Sequence, residues 1–339
     1  MINLINLLKD QISIRLKYGP EFIGDPEKIS VGLTPRTLVY SEGSKKLYLY
    51  KGISEENKPL LLVYSLINRP YIFDLRPKRS MIEFLINNGF DIYLLDWGDP
   101  QVEDIHSNLD EFINGTLNRV VNFINKKYSQ EKLDILGYCM GGTFASLYTS
   151  MYPEKVNKLT LLTTPLSQSE GGLLQRIGKK LDIKKAIESS GLISGRDLKM
   201  FFNSVKPASL IKKERDFWQN SQEEKFLDNF LPVEKWSNDT PNVPAKVFSE
   251  FIDICFNHDL SKEKICIGNK LVNFKNIKSN VFSIAAEHDW IIAKSAIDTV
   301  KNVMPNANHE TYLLSGGHIG LVIGKPALEI WTKIKDFNK

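Results

Sequence analysis

The stretch LDILGYCMGGTFASLY, Leu133 to Tyr148, decides how the rest of the chain is read. LDILGY is an apolar, β-rich run, and TFASLYTSMY beyond it has the pattern of a helix. Between them Cys139 stands in the pattern Gly-x-Cys-x-Gly-Gly, set by Gly137, Gly141 and Gly142. A strand that enters a helix through so tight a turn needs neighbours without Cβ, so that the two can approach closely. The side chain at the turn then projects over the sheet, beside helix N–H groups free to bind an anion. That is the setting of a nucleophile elbow, with the thiol as candidate nucleophile. The bland alternative is a structural cysteine, since free thiols are among the most buried groups.

Similar apolar runs recur on both sides: TLVY (37–40), KLYLYK (46–51), LLLVYSLI (60–67), FDIYLLD (90–96), KLTLLTT (158–164), NVFSIAA (280–286) and ETYLL (310–314). Runs of this length suit strands buried on both faces of a parallel sheet. Residues 79–89 and 109–128 carry apolar positions at helical spacing and fit crossover helices. Alternating β and α elements, with the elbow, predict an α/β-hydrolase fold: a mostly parallel sheet flanked by helices. The alternation lapses over 165–239, which is helical in pattern and rich in charge. This segment is expected as a helical cap inserted into a core made of 1–164 and 240–339. An ordinary helical subdomain without a gating role is the alternative.

Composition narrows the classes. With 42% hydrophobic and 25% charged residues the 339-residue chain reads as globular. A net charge of +4 spread along the chain argues for no nucleic-acid role. No apolar run nears the roughly 18 residues of a membrane span. The start, MINLINLLKDQISIRLKYG, is an amphipathic helix, not the apolar core of a signal peptide. Cys139, Cys255 and Cys266 are too widely spaced for a disulfide framework or a metal site. Cys255 and Cys266 read as structural, and the cytoplasm is the default compartment.

A thiol needs a base, and the base an orienting acid; in this fold they follow the nucleophile in the order acid, histidine. His318, among glycines after the last predicted strand, is the candidate base. His106, His258 and His309 lie in polar stretches and read as surface residues; His288 stands beside Asp289. Asp289 ends the strand 280–286 and is the candidate acid, its alternative being an N-cap for a helix beginning near Ala293. The expected triad is Cys139, Asp289 and His318. Its oxyanion hole would use the backbone N–H of Met140 and a second donor from the loop 65–71, Ile67 or its neighbour Asn68. Trp236 and Asp239 fall where the cap rejoins the core, as a hinge or as a plain turn. The basic clusters 178–185 and 211–215 are phosphate contacts or solvated helix faces.

The choice of a thiol carries information about the reaction. A thiolate attacks a thioester to give another thioester, which keeps its acyl-transfer potential. Passing that acyl group to an alcohol is downhill. Acyl transfer from a thioester to a hydroxyl therefore fits better than simple hydrolysis, provided water is kept out.

In VGLTPRTLVY, VYSLINRPYIFDLRPKRS, GFDIYLLDWGDP, GYCMGG, VEKWSNDTPNVP, AAEHDW and SGGHIG, in that order, the chain resembles the catalytic subunit of polyhydroxyalkanoate synthases. The likeness runs from about Val31 onward and is nearest the two-component kinds called class III and class IV. It implies polymerisation of (R)-3-hydroxyacyl groups, foremost 3-hydroxybutyryl, from CoA thioesters, with no cofactor beyond the CoA of the substrate. It also implies a separate accessory subunit, a homodimer of the catalytic chain, and residence on cytoplasmic polyester granules. The family's nucleophile, acid and histidine fall on Cys139, Asp289 and His318, with Asp289 either orienting His318 or acting as a base. One departure stands out: the family more often has a His-Ile or His-Leu pair after the acid, where this chain has Trp290. A cysteine-type esterase or thioesterase and a non-catalytic scaffold are the competing readings.

Overall fold

The computed structural model describes residues 4–166, 191–205 and 207–339. Its centre is an eight-stranded sheet. The strands are β1 (Thr37–Glu42), β2 (Lys45–Tyr50), β3 (Lys58–Val63), β4 (Phe90–Asp96), β5 (Leu133–Tyr138), β6 (Val156–Leu162), β7 (Asn280–Ala286) and β8 (Asn308–Leu314). Their spatial order is β1-β2-β4-β3-β5-β6-β7-β8. Only the β1–β2 and β2–β4 pairings within this sheet are antiparallel; the rest are parallel. Each apolar run expected as a strand lies on one of these eight.

The runs are continuous because both faces of the sheet are covered. In β3, Leu60 and Leu62 pack in one cluster with Ile92, Leu94 and Leu136, while Leu61 and Val63 pack in another with Tyr93, Leu95 and Ile135. That alternation is the two-residue period of a strand. Each such leucine, fully buried, stabilises the fold by about 1.5–3 kcal/mol.

Helix α1 (Leu4–Tyr18) precedes the sheet, and α2 (Met81–Ile86) covers its second face through Met81, Ile82 and Leu85. On the first face lie α3 (Asn118–Lys127) and α4 (Met140–Met151), through Val120, Ile124, Phe144 and Leu147. The helix expected over 109–128 is not uniform: Glu111–Leu117 is wound as a π-helix before α3 begins. There the Asn114 amide reaches out of the ladder, donating to Asp110 Oδ1 and Ile267 O. The amphipathic start is also a surprise. Gln11 is buried, whereas Ile5, Ile12 and Leu16 are exposed.

Between β6 and β7 lie α5 (Gly195–Val205), α6 (Pro207–Asn220) and α7 (Glu224–Asn238), in the stretch expected as a cap. The expected helix 173–190 and basic cluster 178–185 lie outside the described residues. The other cluster is partly turned inward: Lys213 Nζ pairs with Glu234 Oε1 at 2.8 Å.

Candidate active site

β5 delivers the chain to Cys139, whose φ of 52° and ψ of −126° place it in a region L-residues avoid. Such backbone costs on the order of 1–3 kcal/mol and persists where its surroundings enforce it. Here the Cys139 N–H donates to Leu162 O at 3.0 Å and the Gly142 N–H to Cys139 O at 2.9 Å. The neighbouring glycines are obligatory on steric grounds. A Cβ on Gly137 would lie 2.4 Å from the Gly142 Cα, and one on Gly141 would lie 2.2 Å from Val63 O. α4 starts at Met140, so the N–H groups of its first turn have no acceptor within the helix.

His318 follows β8 in the SGGHIG turn, and Asp289 follows β7. His318 Nδ1 lies 2.7 Å from Asp289 Oδ2, both side chains being buried. The other carboxylate oxygen accepts the N–H groups of Ile291 at 2.8 Å and Ile292 at 3.0 Å. Asp289 thus pins its own turn and the imidazole together. It does not cap a helix, for the next one begins at Ala296. The Cys139 sulfur also interacts with the His318 imidazole. Burial alone would lower the basicity of His318, but the Asp289 carboxylate and the Cys139 sulfur outweigh it and push the pKa up to about 10. The three residues expected as a triad are therefore in contact, ordered as nucleophile, base and acid. The ring of Tyr138 packs on the imidazole at 5.3 Å.

Cys139 and His318 open onto a cavity of about 400 Å³. One side is formed by the loop after β3. There the Ile67 N–H, expected as an oxyanion donor, is engaged by Ser65 Oγ at 3.1 Å. Asn68, at a φ of 63°, donates from its amide to Trp236 O at 2.9 Å, and Thr240 Oγ1 donates to Asn68 Oδ1 at 3.3 Å. The Trp236 indole donates to Arg69 O at 2.8 Å, and Arg69 pairs with Asp239 at 2.9 Å and Asp99 at 2.7 Å. Trp236 and Asp239 thus belong to a hydrogen-bonded seam between the end of α7 and the β3 loop, which a plain turn would not need.

A roof from the stretch 165–239 was expected, but not the residues that line it. Lys199, Phe202 and Asn203, one face of α5, line the cavity. Their spacing of three and one is visible in GRDLKMFFNSV, but nothing local says which way that face points. His288 also lines the cavity while remaining exposed. Two minor expectations need correction. His309 is half-buried with Nε2 2.8 Å from Met304 O, because β8 turns it toward the preceding loop. Cys266 is exposed on the short strand Ile265–Ile267, so it has no packing role. Cys255 is buried beside Thr143, and burial raises its thiol well above the ordinary range. Among the described residues no cluster of His, Cys, Asp and Glu suits a metal, and no helix is long and apolar enough to cross a membrane.

Comparison with known proteins places the chain in a family. The alpha/beta hydrolase fold family matches residues 58–323, and the family described as the poly-beta-hydroxybutyrate polymerase (PhaC) N-terminus matches residues 23–85. The poly(3-hydroxyalkanoate) polymerase subunit PhaC of Allochromatium vinosum is 33% identical over 330 residues, covering 95% of this chain and 93% of that one. The chain belongs to the poly(3-hydroxyalkanoate) polymerase family. Its namesake from Haloferax mediterranei is 31% identical over 91% of this chain, which spans 65% of that longer protein. Membership makes the chain an acyltransferase enzyme, as the order of motifs predicted. Among solved structures, a Sulfolobus solfataricus chain superposes with a TM-score of 0.61 at 15% identity, covering 89% of this chain and 92% of that one. A hydrolase from Pseudomonas aeruginosa PA01 gives 0.56 at 12% identity, covering 91% and 99%. At such identities these two speak for the fold alone.

Proposed function

We propose that the chain polymerises (R)-3-hydroxyacyl groups, foremost 3-hydroxybutyryl, from CoA thioesters through a Cys139 thioester. The observation that carries this reading is a thiol, rather than a hydroxyl, in contact with a carboxylate-bound imidazole beneath a roofed cavity. The thiol proton rests on His318 from the start; the Cys139 sulfur bonds to the acyl carbon; the C–S bond to CoA breaks, and the leaving sulfur takes the proton from His318. The hydroxyl of the incoming monomer or chain then gives its proton to His318 and attacks the acyl-cysteine. An ester forms and the Cys139 thiol is restored. Asp289 holds the imidazole and stabilises its charge. The Met140 N–H at the start of α4 faces the developing oxyanion, and Ile67 joins it once the carbonyl oxygen displaces Ser65 Oγ. The cap keeps water from the acyl-enzyme.

By the same family likeness, the chain works with a separate accessory subunit, pairs as a homodimer, and resides on polyester granules in the cytoplasm. It needs no cofactor, since CoA arrives and leaves as part of the substrate. The test is thiol release from (R)-3-hydroxybutyryl-CoA by the purified chain, with and without an accessory subunit, and recovery of insoluble polyester. Cys139→Ala is expected to abolish both while leaving the melting transition near that of the wild type. Release of free 3-hydroxybutyrate without polymer would make the chain a thioesterase, and activity that survives in Cys139→Ala would remove the nucleophile.

A further inference from the structure

The polymerase reading leaves Trp290 unexplained, although it follows the acid directly and lines the cavity. Its indole meets the Phe202 ring edge-on, with centroids 6.5 Å apart and planes at 80°. The two residues come from different bodies: Trp290 from the turn after β7, Phe202 from α5 of the cap. Ile291, pinned by Asp289, continues the same apolar side. Asn203 and His288 also line the cavity, but the polar groups bonded to one another gather at the seam: Asn68 with Thr240, and Lys199 Nζ with Asn238 at the end of α7.

A 3-hydroxyacyl-CoA divides in the same way. Its pantetheine arm carries amides that need partners when desolvated, and its acyl side chain needs none. The arm belongs on the Asn68–Thr240 side and the side chain against the aromatic pair. We propose that Phe202 and Trp290 form the wall that limits acyl side-chain length, a filter built half from the cap and half from the core. The proposal rests on the polymerase reading for its substrate, but the wall is a property of the cavity. An indole fills space that a smaller side chain would leave open. Each methylene that a rigid apolar pocket cannot accept weakens a substrate by roughly tenfold or more.

The wall can be measured without turnover. Alkyl methanethiosulfonates of increasing length (methyl, propyl, pentyl) convert the Cys139 thiol to a mixed disulfide, releasing methanesulfinate. The full chain is used in a Cys266→Ser background, with labelling at Cys139 followed by mass. The unaltered wall is expected to slow pentyl relative to methyl transfer by about tenfold or more, and Trp290→Ala or Phe202→Ala to bring that ratio close to one. Trp290→Phe and Phe202→Leu, which keep an apolar side chain in place, should give intermediate ratios and guard against misfolding. In parallel, kcat/KM for (R)-3-hydroxyhexanoyl-CoA relative to (R)-3-hydroxybutyryl-CoA should rise about tenfold in both alanine variants. A length ratio unchanged in both overturns the proposal; a change in Trp290→Ala alone overturns the cap's share of it. A labelling filter that behaves as expected in a chain inert toward both thioesters even with an accessory subunit present supports the wall and sinks the polymerase reading instead.

Discussion

The elbow and the cap seam face each other across one cavity, yet they are held by different forces. Around Cys139 the backbone is locked by the inner strands, whose leucines are removed from water on both faces. Across the seam the contacts are polar: Arg69 with Asp239, Asn68 with Trp236 O, and the Trp236 indole with Arg69 O. Apolar burial cannot be exchanged for water without loss, whereas partly exposed ion pairs are worth about 0–1 kcal/mol each because water replaces them readily. The lesson is a division of labour. The strained turn at Cys139 sits in the part that resists deformation, and the roof is joined to it by polar contacts that water can replace.

The comparison can be broken most severely at the acid. Asp289→Asn should cut thiol release by about 10²–10⁴-fold, since the imidazole loses both its orientation and the charge that stabilises it. Stability should follow pH in a set direction. His318 is held protonated to about 10, above the roughly 6.5 of an unfolded imidazole. Its pairing thus stabilises the fold fully below that lower value, and the benefit is lost as pH rises through the higher one. The gap in melting temperature between wild type and Asp289→Asn should be wide at pH 6 and should narrow toward pH 10. A gap independent of pH would mean that the pair is not charged as described.

Next comes the sheet. Leu62→Ala, at a fully buried site in β3, should cost about 2–5 kcal/mol in denaturant unfolding. The smallest effect belongs to the seam. Arg69→Gln should cost about 1 kcal/mol or less in the same experiment, yet lower kcat/KM several-fold, because the β3 loop then loses its tie to Asp239. If the seam variant proved as destabilising as the core one, the contrast between the two regions would fail.

The same contrast explains what could be read in advance. The inner strands β3–β7 were legible because burial on both faces leaves a nearly unbroken apolar run, whereas the edge strands β1 and β8, partly exposed, were read from their β-rich residues. Cys139, Asp289 and His318 were legible because each sits at a strand end beside a turn, where topology limits which side chains can meet. The π-wound turns at 111–117 were not, since they arise from Asn114 reaching to a distant hairpin. Nor were Lys199, Phe202 and Asn203, because helix α5 could present that face to solvent or to the cavity with no change in its sequence. The role of Arg69 in the seam was equally hidden: its partner Asp239 lies 170 residues away.

One consequence concerns α1. Arg15 forms an ion pair with Glu214 of α6 at 2.8 Å, Glu21 holds Lys199 of α5, and Lys235 of α7 donates to Ile29 O at 2.7 Å. In mechanical terms, α1 and the segment after it are a handle attached to the roof. A load on the exposed row of Ile5, Ile12 and Leu16 would reach the helices above the thiol through these ties, and the core through Gly32 and Thr34, whose N–H groups are held by Asp74.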